Sequence, residues 1–159
     1  MSTPLGFSGN FANNEDQSMR IVVVDDHEIV RKGVCAVLGT RTGIEVCAEA
    51  SNGEEAVQET VRTQPDIVIM DITMPVLDGL SATREIKKLM PEIPILVLSA
   101  HDGPEIIRAA KNAGAQGFVR KIEVVAVLLK AVDALSDGQT FFSDGERVLG
   151  PVWPKRSWA

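Results

Sequence analysis

Short apolar runs alternate five times with amphipathic segments, and this alternation constrains the fold more than any other feature of the chain. The runs predict strands at 20–25, 44–50, 66–71, 94–99 and 117–121, and the amphipathic segments predict helices at 27–39, 53–63, 77–90, 104–113 and 123–137. Runs this short and this apolar are typical of a parallel sheet that is covered on both faces. Because parallel strands need crossover connections, the pattern predicts a three-layer α/β domain with right-handed crossovers.

Composition limits the classes of function that remain. The chain has 159 residues and a formal net charge of −6, which argues against a protein that coats nucleic acid. No apolar stretch approaches the roughly 20 residues of a membrane span. Cys35 and Cys47 lack the spacing of metal ligands and are interpreted as reduced thiols. We therefore expect a cytoplasmic protein that does not bind membranes.

The regular pattern occupies only the middle of the chain. Residues 1–18 are rich in Ser, Asn and Gly, show no periodicity and lack a secretory signal, so we predict a disordered leader. The predicted domain spans 19–138, and 139–159 form a C-terminal extension and tail. We interpret Trp153 and Trp158 in this tail as part of a frayed terminus, with a partner-binding peptide as the alternative.

Acidic residues lie at the ends of two apolar runs. Asp25 and Asp26 follow the first run, and Asp71 ends the third. Ligands of parallel sheets bind beyond the carboxyl ends of the strands, so three carboxylates meet there if the two strands are neighbours. Unit charges 4 Å apart repel by about 4 kcal/mol near a protein surface, which calls for a cation, a shared proton or an ammonium group. Helix capping explains one of these acids but not all three.

Two other strand ends carry polar groups. The fourth run ends at Ser99 and the fifth at Lys121, so a hydroxyl and an ammonium group lie at the same edge of the sheet. By contrast, Asp66 begins the third strand, about 16 Å from Asp71, and is assigned no catalytic role. His27 follows the acids directly, and we expect it to face solvent, with ligation of a metal as the less favoured alternative.

Four stretches resemble a known family. IVVVDDHEIVRKG, PDIVIMDITMPVLDG, ILVLSA and AGAQGFVRK occur in this order within residues 20–138. Together they resemble the CheY-like receiver domains of two-component response regulators, and most closely the NarL/FixJ-like group. The resemblance implies a flavodoxin-like (βα)5 fold whose five-stranded parallel sheet has the order 2-1-3-4-5. Members of that group usually carry a C-terminal helix-turn-helix, for which 139–159 are too short, so we expect no direct DNA binding by this chain.

The resemblance also implies a role for each site residue. Asp71 would accept a phosphoryl group. Asp26 and Asp71, with the backbone carbonyl of Thr73, would hold Mg²⁺ or Mn²⁺, and Asp25 would act through bound water. Mg²⁺ prefers such a set of a few oxygen ligands completed by waters.

Further residues would bind the phosphoryl group and respond to it. Lys121 would contact one phosphoryl oxygen, and the hydroxyl of Ser99 and the backbone N–H of Ala100 would donate to others. Ser99 and Phe118 would form the switch that changes the surface. Arg120 stands where an apolar residue is usual, and we expect a buried stem with a solvated head.

The function implied is a phosphorylation-dependent signalling domain. A sensor histidine kinase or phosphotransfer protein would supply the phosphoryl group, and the domain would dock an unidentified downstream protein or form a homodimer. It would catalyse its own modification rather than turn over an external substrate. One alternative is a Mg²⁺-dependent phosphatase with an aspartate nucleophile, although such enzymes usually carry D-x-D. The other is a phosphate-independent interaction domain, against which the intact set of acids, serine and lysine argues.

Overall fold

The computed structural model describes residues 17–142. Most of the predicted leader and the tail beyond 142 lie outside this range. The strands are β1 (Met19–Val24), β2 (Ile44–Ala50), β3 (Ile67–Asp71), β4 (Ile95–Ser99), β5 (Gly117–Arg120) and β6 (Phe141–Phe142). The helices are α1 (Glu28–Gly39), α2 (Gly53–Thr63), α3 (Gly79–Leu89), α4 (Pro104–Ala113) and α5 (Val124–Ser136), with a short 3-10 helix at Lys121–Glu123. Within 17–142, none of the helices has the length and apolar character needed to cross a bilayer.

The strands form one parallel sheet in the order β2-β1-β3-β4-β5-β6. This confirms the flavodoxin-like fold and the predicted order of the first five strands. The register aligns the carboxyl ends of the central strands, since Val24 lies opposite Met70 and Asp71 lies opposite Leu98. The sequence pattern did not predict β6, whose two residues are too few to show a period.

Helices cover both faces of the sheet, which explains why the strands are apolar almost throughout. On one face, Val22 and Met70 pack with residues of α2, α3 and α4. On the other, Val23 and Ile69 pack with residues of α1 and α5. Alternate residues of a strand point to opposite faces, so each of these strands needs apolar residues at every position. Val125 of α5 does not join this core, because the residue is 86% exposed.

The loop between β3 and α3 returns closely to the end of β3. The N–H of Gly79 donates to the carbonyl of Ile72 at 2.8 Å. A Cβ atom on Gly79 would lie only 1.8 Å from the carbonyl oxygen of Asp71. Glycine is required because any side chain here would collide with the backbone. The loop therefore packs tightly against the backbone at the end of β3 and restricts the position of the Asp71 main chain.

Candidate functional site

Three carboxylates meet at the carboxyl edge of the sheet. Asp25 and Asp71 are 1% and 3% exposed, and Asp26 is partly exposed. The N–H of Asp25 donates to the carbonyl of Ala50 at 3.1 Å, which extends the β1–β2 pairing by one residue. One ligand atom from each acid and from His27 lies within 4.8 Å of the others. The adjacency of β1 and β3, expected from the predicted strand order, is what brings the acids together.

Lys121 bridges two of these acids. Its Nζ atom lies 2.9 Å from Asp25 Oδ2 and 3.0 Å from Asp71 Oδ1. Burial works to lower the pKa of Lys121, but the hydrogen bonds and charges of the two acids outweigh it and raise that pKa. The 3-10 helix that directly follows β5 carries this residue into the cleft. The ammonium group offsets part of the mutual repulsion of the carboxylates.

The electrostatic balance at Asp71 favours a further cation. Burial raises the pKa of Asp71 to about 6, and the charges of Asp25 and Asp26 add to this effect, while Lys121 opposes it. Asp71 Oδ2 is buried and has no hydrogen-bond partner within 17–142. An ionised oxygen without a partner is costly away from water. Carboxylates in this arrangement suit a hard divalent cation, so the three acids fit Mg²⁺ or Mn²⁺.

The other predicted residues lie around the same edge. Ser99 is 2% exposed, and its Oγ accepts a hydrogen bond from the N–H of His101 at 3.0 Å. Ala100 and Thr73 are exposed in the loops that follow β4 and β3. Phe118 is fully buried on β5. The phosphoryl, metal and switch roles of these four residues stay predictions.

Two further side chains approach the acids. Arg31 donates through Nη1 to the carbonyl of Asp25 at 2.8 Å and pairs through Nε with Glu49 at 3.0 Å. The side chain of His27 is 68% exposed as expected, yet its Nδ1 lies 3.1 Å from Asp26 Oδ1. Arg31 lies one helical turn after His27. This spacing could have predicted from the sequence that both side chains lie on the same side of α1.

A comparison with protein-family models identifies the domain. The model described as "Response regulator receiver domain" matches residues 21–133. The chain belongs to this family. The match contains every residue of the acidic cluster together with Ser99, Phe118 and Lys121, and it confirms the resemblance found in the sequence. The cleft therefore lies within the receiver domain.

Individual relatives agree with this assignment. The transcriptional regulatory protein DegU of Brevibacillus brevis is 33% identical over 126 residues, covering 79% of this chain and 53% of DegU. The receiver thus spans about half the length of this relative. The crystal structure of a LuxR-family two-component response regulator from Aurantimonas sp. matches with a TM-score of 0.77 and 39% identity, covering 79% of this chain and 90% of that one.

A second solved structure represents a receiver in isolation. The isolated REC domain of RcsB from Salmonella enterica serovar Typhimurium, in the presence of phosphomimetic BeF3−, matches with a TM-score of 0.73 and 27% identity. The match covers 80% of this chain and 94% of that domain. The likeness therefore covers nearly the whole of a receiver domain.

Proposed function

We propose that this receiver accepts a phosphoryl group on Asp71 from a phosphohistidine of a sensor histidine kinase or phosphotransfer protein. The observation that carries the proposal is the unequal environment of the two Asp71 oxygens. Lys121 lies 3.0 Å from Oδ1, whereas Oδ2 is buried without a partner in the described part of the chain. Lys121 thus pairs with Oδ1, and Oδ2 can bind a cation or attack an incoming phosphoryl group.

The metal in this proposal is Mg²⁺ or Mn²⁺, held by Asp26, Asp71 and the carbonyl of Thr73, with Asp25 acting through water. When bound, the ion neutralises charge on the phosphoryl oxygens. An oxygen of Asp71 forms the new bond to phosphorus while the phosphorus–nitrogen bond of the donor breaks. Lys121 offsets the negative charge that remains on the phosphoryl oxygens. The chain contributes mainly position and charge, as is usual in phosphoryl transfer.

The product would act as a switch because it changes local charge. A phosphoryl group adds about −1.5 to −2 charge at neutral pH. The hydroxyl of Ser99 and the N–H of Ala100 would then donate to it. Ser99 Oγ now accepts from the N–H of His101, so its movement would alter the loop between β4 and α4. Phe118 on the neighbouring β5 would pass the change to the surface, which a downstream protein or a second copy would read.

The domain modifies itself in this scheme and does not turn over an external substrate. A cytoplasmic location is part of the proposal and is supported by family membership and by two free thiols, Cys35 and Cys47. Cys35 does not have the environment of a reactive thiol, since burial raises its pKa to about 11.

Chemical phosphorylation tests the acceptor directly. The wild-type protein, incubated with Mg²⁺ and acetyl phosphate, should gain one phosphoryl group by intact-mass spectrometry. EDTA should abolish the gain. Asp71→Asn should not be labelled, because an amide oxygen is a poor nucleophile.

Asp66→Asn provides a matched control directly before the same strand. Asp66 lies at the opposite edge, where its Oδ2 accepts from the N–H of Arg20 at 2.8 Å. An asparagine oxygen can keep this bond, so the variant should be labelled like the wild type. Equal labelling of Asp71→Asn and the wild type would show that the acceptor assignment is wrong.

A further inference from the structure

The imidazole of His27 is a part of the cluster to which the proposed function gives no role. Its Nδ1 lies 3.1 Å from Asp26 Oδ1 and 3.4 Å from Asp25 Oδ1. The backbone N–H of His27 donates to Asp25 Oδ1 at 2.9 Å and holds the residue beside the acids. His27 stands at the N-cap of α1, but its side chain makes no capping hydrogen bond. The ring is therefore directed at the carboxylates rather than at the helix.

The spacing of these atoms suits neighbouring ligands of one ion. Two ligands at about 2.1 Å from a metal and at right angles to each other lie about 3.0 Å apart. The Nδ1–Oδ1 distance of 3.1 Å to Asp26 matches this value. The buried Oδ2 of Asp71, which has no partner among residues 17–142, is a separate sign that the cluster takes a cation.

Nearby side-chain cations do not take the place of such an ion. Arg31 is paired with Glu49, and Lys32 is paired with Glu28 at 2.8 Å. Lys121 pairs with Asp25 and Asp71 from the end of β5, and no ion pair joins it to Asp26 within residues 17–142. The group nearest to Asp26 Oδ1 in these pairings is thus the imidazole of His27.

Imidazole changes which metals a carboxylate site prefers. Mg²⁺ takes oxygen ligands and keeps its waters, whereas Mn²⁺ and Ni²⁺ also accept imidazole nitrogen, Ni²⁺ more strongly. We propose that His27 is a metal-selectivity residue, whose Nδ1 ligates Mn²⁺ or Ni²⁺ at the acidic cluster and leaves Mg²⁺ to the oxygens. The proposal rests on the metal site of the proposed function and extends it to the choice of metal.

Calorimetric titration tests whether His27 ligates the metal or only lies beside the site. The full chain without a tag is titrated with Ni²⁺ and with Mg²⁺ at one pH, as wild type, His27→Ala and His101→Ala. His101 is the other histidine of the sequence and is exposed, which makes it the matched control. Even residues that only support metal ligands are worth about 10- to 100-fold in affinity, so His27→Ala should weaken Ni²⁺ at least about tenfold. Mg²⁺ affinity should stay within about twofold of the wild type, since oxygen ligands hold this ion.

Pulsed electron paramagnetic resonance of bound Mn²⁺ gives a direct signature. The wild type and His101→Ala should show the ¹⁴N coupling of a ligated imidazole, and His27→Ala should lack it. Circular dichroism checks that the variants fold, which we expect because the His27 side chain is largely exposed.

Three outcomes overturn the proposal. The first is equal Ni²⁺ affinity in His27→Ala and the wild type, and the second is an absence of imidazole coupling in the wild type. The third is a parallel loss of Mg²⁺ and Ni²⁺ affinity, which would mean that His27 only orients Asp26. These measurements need no phosphoryl donor. Failure of the acceptor hypothesis would appear instead as unlabelled wild type in the acetyl phosphate experiment.

Discussion

At the scale of single residues, Asp71 combines burial with incomplete pairing. Its neighbours Asp25 and Asp26 raise its pKa further, while Lys121 satisfies only one of its oxygens. A carboxylate in this state is less stable in the folded protein than in the unfolded chain when metal is absent. The cleft therefore holds a carboxylate with a perturbed pKa at a cost to stability, as is common at functional sites.

This cost predicts a dependence of stability on pH. The pKa of Asp71 is raised from 3.8 to about 6 in the fold, so its stabilising contribution is present below pH 4 and is lost as pH rises through 6. With metal removed by EDTA, the wild type should lose about 1 kcal/mol of unfolding free energy between pH 5 and pH 7.5, after allowance for screening by water. Asp71→Asn should not show this loss in urea titrations.

Added Mg²⁺ provides the control for this prediction. Because the ion binds the ionised carboxylates, it should restore wild-type stability at pH 7.5 and have a smaller effect on Asp71→Asn. Parallel pH profiles of the two proteins without metal would contradict the assignment of the shift to Asp71.

At the scale of elements, the connection from β3 to α3 packs against the backbone of Asp71. The loop approaches so closely that Gly79 lies against the carbonyl of Asp71. Gly33, in the exposed part of α1, shows the opposite situation, since no described residue lies within 4 Å of a Cβ atom placed there. The two glycines form a matched pair for the same substitution.

Gly79→Ala should lower the unfolding free energy by about 2–4 kcal/mol, because the new Cβ would collide with backbone that cannot move away. Gly33→Ala should raise it by about 0.5–1 kcal/mol, because alanine favours the helix. Urea unfolding measures both values. Equal effects of the two substitutions would show that the β3–α3 loop is not tightly packed.

Another connection shows a limit of the sequence pattern. Arg120 was expected to have a buried stem and a solvated head, and its pairing with acidic residues was not predicted. Its guanidinium pairs with Asp102 at 2.9 Å and with Glu123. Asp102 lies in the loop that follows Ser99, so the pair links β5 to that loop. Residues this far apart in sequence are brought together only by the pairing of β4 with β5.

At the scale of the whole molecule, the sheet extends beyond Gly138, where the sequence pattern placed the end of the domain. The N–H of Phe141 donates to the carbonyl of Gln116 at 3.0 Å, which places β6 beside β5. Phe142 is 6% exposed and belongs to the same core cluster as Phe118. Lys111 lies over its ring, 4.5 Å from the centroid. β6 therefore covers the edge of the strand that carries Phe118.

Phe142→Ala should lower the unfolding free energy by about 2–3 kcal/mol, less than a fully enclosed phenylalanine because it lies at the edge of the sheet. Gln139→Ala, an exposed change in the same segment, should stay within about 0.5 kcal/mol of the wild type. Chemical denaturation compares the two variants. A stability of Phe142→Ala close to that of the wild type would mean that β6 is not part of the cooperative core.

The sequence determined the parts of this protein that depend on local pattern. Alternating apolar runs and amphipathic segments defined β1 to β5 and their helices, and the acids at two strand ends marked the edge where the cleft lies. These features follow from the period of the chain and from the geometry of parallel sheets.

The tertiary structure decided what depends on contacts between distant segments. It directed the ring of His27 toward Asp26, paired Arg120 with Asp102, and left one oxygen of Asp71 without a partner in the described part of the chain. It also added β6, because two residues form a strand only when their backbone pairs with the exposed edge of β5. Side-chain directions and edge pairings are set by packing across the sheet, and residue type alone does not encode them.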